Sequence, residues 1–97
     1  MPQTPIVPRQ GGSRSVLNIS AATVIKLTPG TLFTINVNTA GSAAGTAYDA
    51  TTVGGNTAAN LIADIPNVVG SISLKWPCAN GILIVPGTGQ VLSVAFA

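Results

Sequence analysis

The alternation that decides the fold is clearest in residues 32–39, LFTINVNT. There Phe33, Ile35 and Val37 alternate with Thr and Asn residues, so one face of an extended segment is apolar and the other carries hydroxyl and amide groups. Residues 71–76, SISLKW, repeat the pattern. Both stretches are therefore predicted to be half-buried β-strands.

Proline and glycine separate these stretches from further short apolar runs. Pro29-Gly30 and residues 86–89, PGTG, are typical of turns. Asn80-Gly81 favours a two-residue type I′ turn leading into a strand over residues 82–85. With no sustained 3.6-residue period, the chain is predicted to be all-β, a small β-sandwich or jelly roll of about seven or eight short strands. The predicted core consists largely of apolar side chains on these strands: Phe33, Ile35, Val37, Ile72, Leu74, Trp76, Ile84, Val94 and Phe96.

Two local structures are compatible with residues 58–65. The stretch AANLI could nucleate a helical turn, whereas LIADI could form a strand that ends at Pro66. We expect the strand, in which Ile62 and Asp64 lie on one face and Leu61, Ala63 and Ile65 lie on the other.

The first fifteen residues differ in composition from the rest of the chain. Pro2, Pro5 and Pro8 recur at a period of three, which suits an extended polyproline-type conformation, and a Gly-Gly pair follows. We therefore expect an extended arm over residues 1–15 and a β-sandwich domain over residues 16–97. The candidate partner-binding residues lie in this arm and are Pro5, Pro8, Arg9 and Arg14. In this hypothesis the arm adds its backbone to a neighbouring subunit and its arginines reach acidic groups; the alternative is a disordered leader.

Charged groups are scarce throughout the chain. The 97 residues include four that are Lys or Arg and two that are Asp or Glu, and there is no histidine. About a quarter of the residues in a typical soluble domain are charged. A surface of this kind suits burial against other protein, and general acid–base catalysis needs titratable groups. We expect no enzyme activity, no cofactor and no metal. Asp49 and Asp64 are expected to be solvated or hydrogen-bonded, and Cys78 is expected to be a reduced packing residue.

The same composition bears on partners and location. The four cations are dispersed, and nucleic-acid binding usually needs clustered ones. The longest strictly aliphatic run, residues 82–85, is far shorter than the roughly 20 residues of a membrane span. Residues 1–5, MPQTP, lack the basic and apolar regions of a secretory signal. We expect synthesis in a cytoplasm and neither a nucleic-acid nor a membrane partner.

A series of short motifs runs in order from residue 24 to residue 97. It comprises Val24-Ile25-Lys26, Pro29-Gly30, Val37-Asn38-Thr39-Ala40-Gly41, Gly45-Thr46-Ala47-Tyr48-Asp49-Ala50, Ile62 to Pro66, Pro77-Cys78-Ala79-Asn80-Gly81-Ile82 and Val91 to Phe96. In this pattern the chain resembles small β-sandwich virion proteins of tailed bacteriophages, of the capsid decoration (cement) or head-fibre type. No catalytic residue is carried over from that group.

The resemblance implies a structural role on a virion. The expected function is a capsid decoration protein that binds the outer shell, made in the host cytoplasm and placed on the capsid surface. Its expected partners are the major capsid protein or other virion proteins, and it is expected to form a homo-oligomer or to be present in many copies. The alternative is a head-fibre or tail accessory module that binds a host surface glycan through Asn and Thr side chains and Trp76.

Overall fold

The computed structural model describes residues 14–97 as two four-stranded antiparallel sheets. The eight strands are β1 (Arg14–Ile19), β2 (Thr23–Lys26), β3 (Gly30–Thr39), β4 (Gly45–Tyr48), β5 (Leu61–Ile65), β6 (Gly70–Cys78), β7 (Ile82–Val85) and β8 (Val91–Phe96). Two short 3-10 turns, Val53–Gly55 and Ala58–Asn60, lie between β4 and β5. Within residues 14–97 no helix has the length and apolarity needed to cross a membrane. The all-β prediction is confirmed.

The strands pair as one long hairpin folded over on itself. From the ends of the chain inward, β1 pairs with β8, β2 with β7, β3 with β6 and β4 with β5. Two further pairings, β3 with β8 and β4 with β7, complete sheet A in the order β1-β8-β3-β6 and sheet B in the order β2-β7-β4-β5. This strand order is that of a jelly roll.

Because successive strands run in opposite directions, their connections collect at two opposite ends of the sandwich. The loop end consists of residues 20–22, 40–44, 66–69 and 86–90. The terminal end consists of residues 27–29, 49–60 and 79–81, together with the start of β1 and the end of β8. The two ends are therefore built from residues that are far apart in sequence.

The core lies between the two sheets and contains most of the predicted side chains. Ile35, Val37, Ile84, Val94 and Phe96 are buried, as predicted. The side chains of Ile72 and Leu74 are partly buried and pack against this core. The predictions for Phe33 and Trp76 are wrong.

A β-bulge in β3 removes Phe33 from the core. Leu32 lies opposite Phe96, but Thr34 lies opposite Ala95, so β3 carries one more residue than β8 over this interval. A bulge of this kind shifts the side-chain alternation by one position. Leu32 is consequently the completely buried residue, and Phe33 is only half-buried.

Trp76 lies exposed on an edge strand, close to a second register shift. In the pairing of β3 with β6, Leu32 faces Trp76 and Thr34 faces Ser73, so β6 carries one more residue over this interval. Lys75, within it, has a φ of 50°. Because β6 is an edge strand of sheet A, no further strand of the described chain covers the indole, which is 47% exposed.

The predicted type I′ turn at Asn80-Gly81 is also wrong. Strand β6 belongs to sheet A and β7 to sheet B, so residues 79–81 cross between the sheets. Neither Asn80 nor Gly81 has a positive φ. Gly81 is needed for a different reason: a Cβ there would lie 2.6 Å from the carbonyl oxygen of Lys26 and 2.8 Å from that of Ala50.

The strand predicted over residues 61–65 is confirmed as β5. The residues before it, Ala58–Asn60, form a 3-10 turn. Residues 58–65 therefore form a helical turn followed by a strand, so both local structures compatible with the sequence occur in succession.

Candidate interaction surfaces

The outer face of sheet A carries a network of uncharged hydrogen-bonding side chains. Asn36 Nδ2 donates to Asn38 Oδ1, and Asn38 Nδ2 donates to Ser93 Oγ at 2.6 Å. Ser71 Oγ donates to Asn36 Oδ1 at 2.6 Å. The network therefore joins three adjacent strands, β6, β3 and β8.

Beside this network lies a shallow depression of about 130 Å³. It is lined by Ser15, Thr34, Asn36, Ser93, Val94 and Ala95. We call the outward-facing polar residues of this region the polar face: Ser15, Thr34, Asn36, Asn38, Ser71 and Ser93. None of them is charged. Pockets for small-molecule ligands usually measure about 300–1,000 Å³, so this depression is too small to enclose a typical small-molecule ligand.

Asp49 holds the connection between β6 and β7. Its carboxylate accepts hydrogen bonds from the backbone N–H groups of Ala79 and Asn80, each at 2.8 Å, and from Gly81 at 3.2 Å. Burial acts to raise the pKa of this carboxyl, but the three hydrogen bonds together outweigh it and keep the pKa below its usual value. The expectation of a hydrogen-bonded residue is met at Asp49. Asp64 lies exposed on β5.

Cys78 lies next to this connection at the end of β6. Burial, with the nearby negative charge of Asp49, raises the pKa of the thiol to about 11. Since the thiolate is the reactive form of cysteine, the thiol is unreactive near neutral pH. The side chain is only 4% exposed, and Cys78 therefore acts as a packing residue.

The loop end is closed by two neutral amides that sequence reasoning missed. Gln90 is completely buried; its Oε1 accepts a hydrogen bond from Gly87 N–H at 3.0 Å, and its Nε2 donates to the Pro66 carbonyl at 3.0 Å. Asn67 accepts from Gly41 N–H at 2.8 Å and donates to the Gly41 carbonyl at 2.7 Å. Their positions in Pro- and Gly-rich turns were the only sequence signal, and that signal does not specify a partner.

Of the four predicted partner-binding residues, Arg14 alone lies among the described residues. Pro5, Pro8 and Arg9 lie outside the described residues, so their role stays a prediction. Arg14 is exposed and is the first residue of β1, opposite Phe96. The first described strand thus begins two residues before the expected boundary, and it is an edge strand of sheet A.

Among residues 14–97, no three His, Cys, Asp or Glu side chains are grouped in a way that could hold a metal ion. No protein-family model matches the chain, and no curated protein or solved structure matches it significantly.

Proposed function

We propose that this chain is a structural protein of a bacteriophage particle, a decoration protein that binds the outer capsid shell and stabilises contacts between capsomers. The observation that carries the proposal is the polar face. It is uncharged and extends over the four strands of sheet A, and internal hydrogen bonds hold four of its side chains in place: Asn36, Asn38, Ser71 and Ser93. Binding of another protein there requires no ion to be desolvated, a process that costs several kcal/mol per ion when it occurs.

The side-chain chemistry of the body supports a binding role over a catalytic one. The Asp49 carboxylate is engaged by three backbone donors, and the raised pKa of Cys78 keeps its thiol protonated. The proposal accordingly assigns no catalytic residue and no cofactor.

The jelly roll is compatible with this role, since viral capsid domains use it, but lectin domains use the same fold. The fold alone therefore does not select a function. The proposed partners are the major capsid protein or other virion proteins, with many copies of the chain on each particle. Neither a nucleic acid nor a membrane is part of the proposal.

A second candidate function rests on Trp76. An indole that is 47% exposed offers an apolar platform, and it would serve a head-fibre or tail module that binds a host glycan. However, Trp76 does not line the depression on the polar face. The aromatic ring and the amide network are not combined in one pocket, so we place the decoration function first.

Copy number separates the two candidates. Particles of the phage that encodes this chain would be purified, and the chain would be quantified against the major capsid protein by mass spectrometry with labelled standard peptides. A stoichiometry comparable to that of the major capsid protein is expected for decoration. A few copies per particle would favour the fibre or tail module, and absence from the particle would refute both.

Add-back to shells that lack the chain tests the polar face directly. Asn38→Asp places a charge within the face, whereas Asn56→Asp places the same charge on the exposed connection between β4 and β5. We expect Asn38→Asp to reduce the number of bound copies by about tenfold at subsaturating protein, which corresponds to about 1.4 kcal/mol, and Asn56→Asp to bind like wild type. Equal binding of both variants would remove the polar face from the contact, and failure of the wild type to bind any shell would refute the decoration function.

A further inference from the structure

Asn80-Gly81 is the one place in the sequence where an asparagine is followed by a glycine. The six other asparagines precede isoleucine, valine, leucine or threonine residues, whose side chains crowd the backbone nitrogen that follows the asparagine. A glycine has no Cβ and leaves this nitrogen open to the preceding side chain. Asn80 is therefore the asparagine of this chain that is most prone, by its local sequence, to lose its side-chain amide.

The reaction at such a pair is an intramolecular substitution. The backbone nitrogen of Gly81 attacks Cγ of Asn80, the bond from Cγ to Nδ2 breaks, and the amide proton of Gly81 passes through water to Nδ2, which leaves as ammonia. The product is a five-membered succinimide. Water opens this ring at either carbonyl and gives aspartate or isoaspartate, whose backbone is longer by one methylene group. The reaction therefore needs a Gly81 nitrogen that has no other partner and can turn towards Cγ.

In the folded chain the attacking nitrogen is hydrogen-bonded to Asp49. Gly81 N–H donates to Oδ1 of Asp49 at 3.2 Å, and the same oxygen accepts a hydrogen bond from Asn80 N–H at 2.8 Å. The other carboxylate oxygen accepts one from Ala79 N–H at 2.8 Å. One carboxylate thus holds three successive backbone N–H groups, including that of the peptide that has to turn in the reaction.

Close packing opposes rotation of the same peptide. Gly81 is buried, and a Cβ there would lie 2.6 Å from the carbonyl oxygen of Lys26 and 2.8 Å from that of Ala50. Asn80, by contrast, is exposed, so water reaches its side-chain amide. The fold therefore blocks the nucleophile of the reaction and leaves its electrophile open. The pKa of Asp49 lies below the ordinary value of 3.8, so this carboxylate is ionised at neutral and higher pH, where base promotes the reaction.

We propose that Asn80 is a deamidation site of this chain and that the Asp49 carboxylate protects it. Release of the connection between β6 and β7 from Asp49 frees the Gly81 nitrogen for attack. The modification then opposes the return of the connection, because it places a second negative charge beside Asp49, and isoaspartate also lengthens the backbone. This role of Asp49 goes beyond the proposed binding to a capsid and does not depend on it.

Peptide mass spectrometry of the purified full-length chain, incubated at neutral pH and physiological temperature, would measure the loss of the Asn80 amide. Asp49→Ala removes all three acceptor contacts and should raise the rate at Asn80 by at least about tenfold, the factor that corresponds to one hydrogen bond to a charged group. Asp64→Ala removes the exposed carboxylate of β5 and should leave the rate unchanged. Asn56, exposed and followed by a threonine, is the internal reference and should deamidate slowly in every variant.

Gln90→Ala separates local protection by Asp49 from the stability of the whole fold. It weakens the opposite end of the sandwich but leaves the contacts of Asp49 in place, so the rate at Asn80 should change little. Equal acceleration in Gln90→Ala and Asp49→Ala would overturn the protective role of Asp49, as would an unchanged rate in Asp49→Ala. Circular dichroism would show which variants are folded, and Asp49→Asn, which keeps the shape of the side chain, takes the place of Asp49→Ala if that variant does not fold.

The wild-type chain tests the site itself. In urea, where the connection is released, Asn80 should lose its amide at least about tenfold faster than in buffer at the same pH. Equal rates in urea and in buffer would overturn the proposal, because the fold would then give Asn80 no protection.

Discussion

The two ends of the sandwich are both closed by side-chain to backbone hydrogen bonds, but the bonding side chains differ in charge and burial. At each end, a side chain from one connection bonds the backbone of another. At the terminal end the bonding group is the ionised carboxylate of Asp49, half-exposed to solvent, whereas at the loop end it is the neutral amide of Gln90, which is completely buried. The stability of the terminal end therefore depends on pH, whereas that of the loop end depends on complete burial of paired polar groups.

The largest expected effect is therefore at the loop end. Gln90→Ala removes both hydrogen bonds, leaves the Gly87 N–H and the Pro66 carbonyl without partners and opens a cavity. We expect a loss of about 3 kcal/mol in the free energy of unfolding, combining the hydrogen-bond and cavity costs. Urea denaturation followed by fluorescence would measure it. Asn56→Ala, at an exposed position, is the control, and a loss below about 1 kcal/mol for Gln90→Ala would show that the amide is dispensable.

A smaller and pH-dependent effect is expected at the terminal end. Asp49→Asn keeps one acceptor oxygen but loses the charge and at least one of three hydrogen bonds, for which we expect a loss of about 1–2 kcal/mol at pH 7, discounted for solvent screening.

The pH dependence of Asp49 has a definite sign. Its pKa is lower in the folded chain than the ordinary value of 3.8, so the unfolded chain binds the proton more readily. The stabilisation is present above that ordinary value and is lost as the pH falls through the folded pKa. Urea midpoints measured from pH 7 down to about pH 2 should fall in acid for wild type and for Asp64→Asn, and the fall should be smaller for Asp49→Asn. An equally steep fall in Asp49→Asn would assign the acid sensitivity to other groups.

An effect no larger than that of Asp49→Asn, and independent of pH, is expected for the exposed aromatic ring near the terminal end. Trp76→Ala should cost about 1–2 kcal/mol, well below the roughly 3–5 kcal/mol typical of a buried Phe or Trp, because the indole is 47% exposed. Leu32→Ala, at the completely buried position opposite Trp76, provides the comparison and should cost about 2–5 kcal/mol. If Trp76→Ala proved the more destabilising of the two, the ring would belong to the core after all.

The strands could be predicted from the sequence more reliably than the hydrogen-bonded surface and loop contacts. The segment LIADI is a strand in the structure because its alternation and its terminal Pro66 act locally. Part of the polar face could be predicted from the sequence, since Asn36 and Asn38 alternate with Ile35 and Val37. The contribution of Ser71 and Ser93 could not be predicted, because those residues reach Asn36 and Asn38 only through the pairing of β3 with β6 and β8.

Local sequence patterns were enough to predict an all-β sandwich, because period-two alternation and the Pro and Gly residues of turns act over a few residues. The tertiary structure is needed to place Leu32 rather than Phe33 in the core, which follows from a bulge in the register of β3, and to leave Trp76 exposed, which follows from the edge position of β6. It also decided that Asp49 meets Ala79, 30 residues away, and that Gln90 meets Pro66, 24 residues away. Such contacts depend on where the connections cross between the sheets, and no local pattern of residues specifies that.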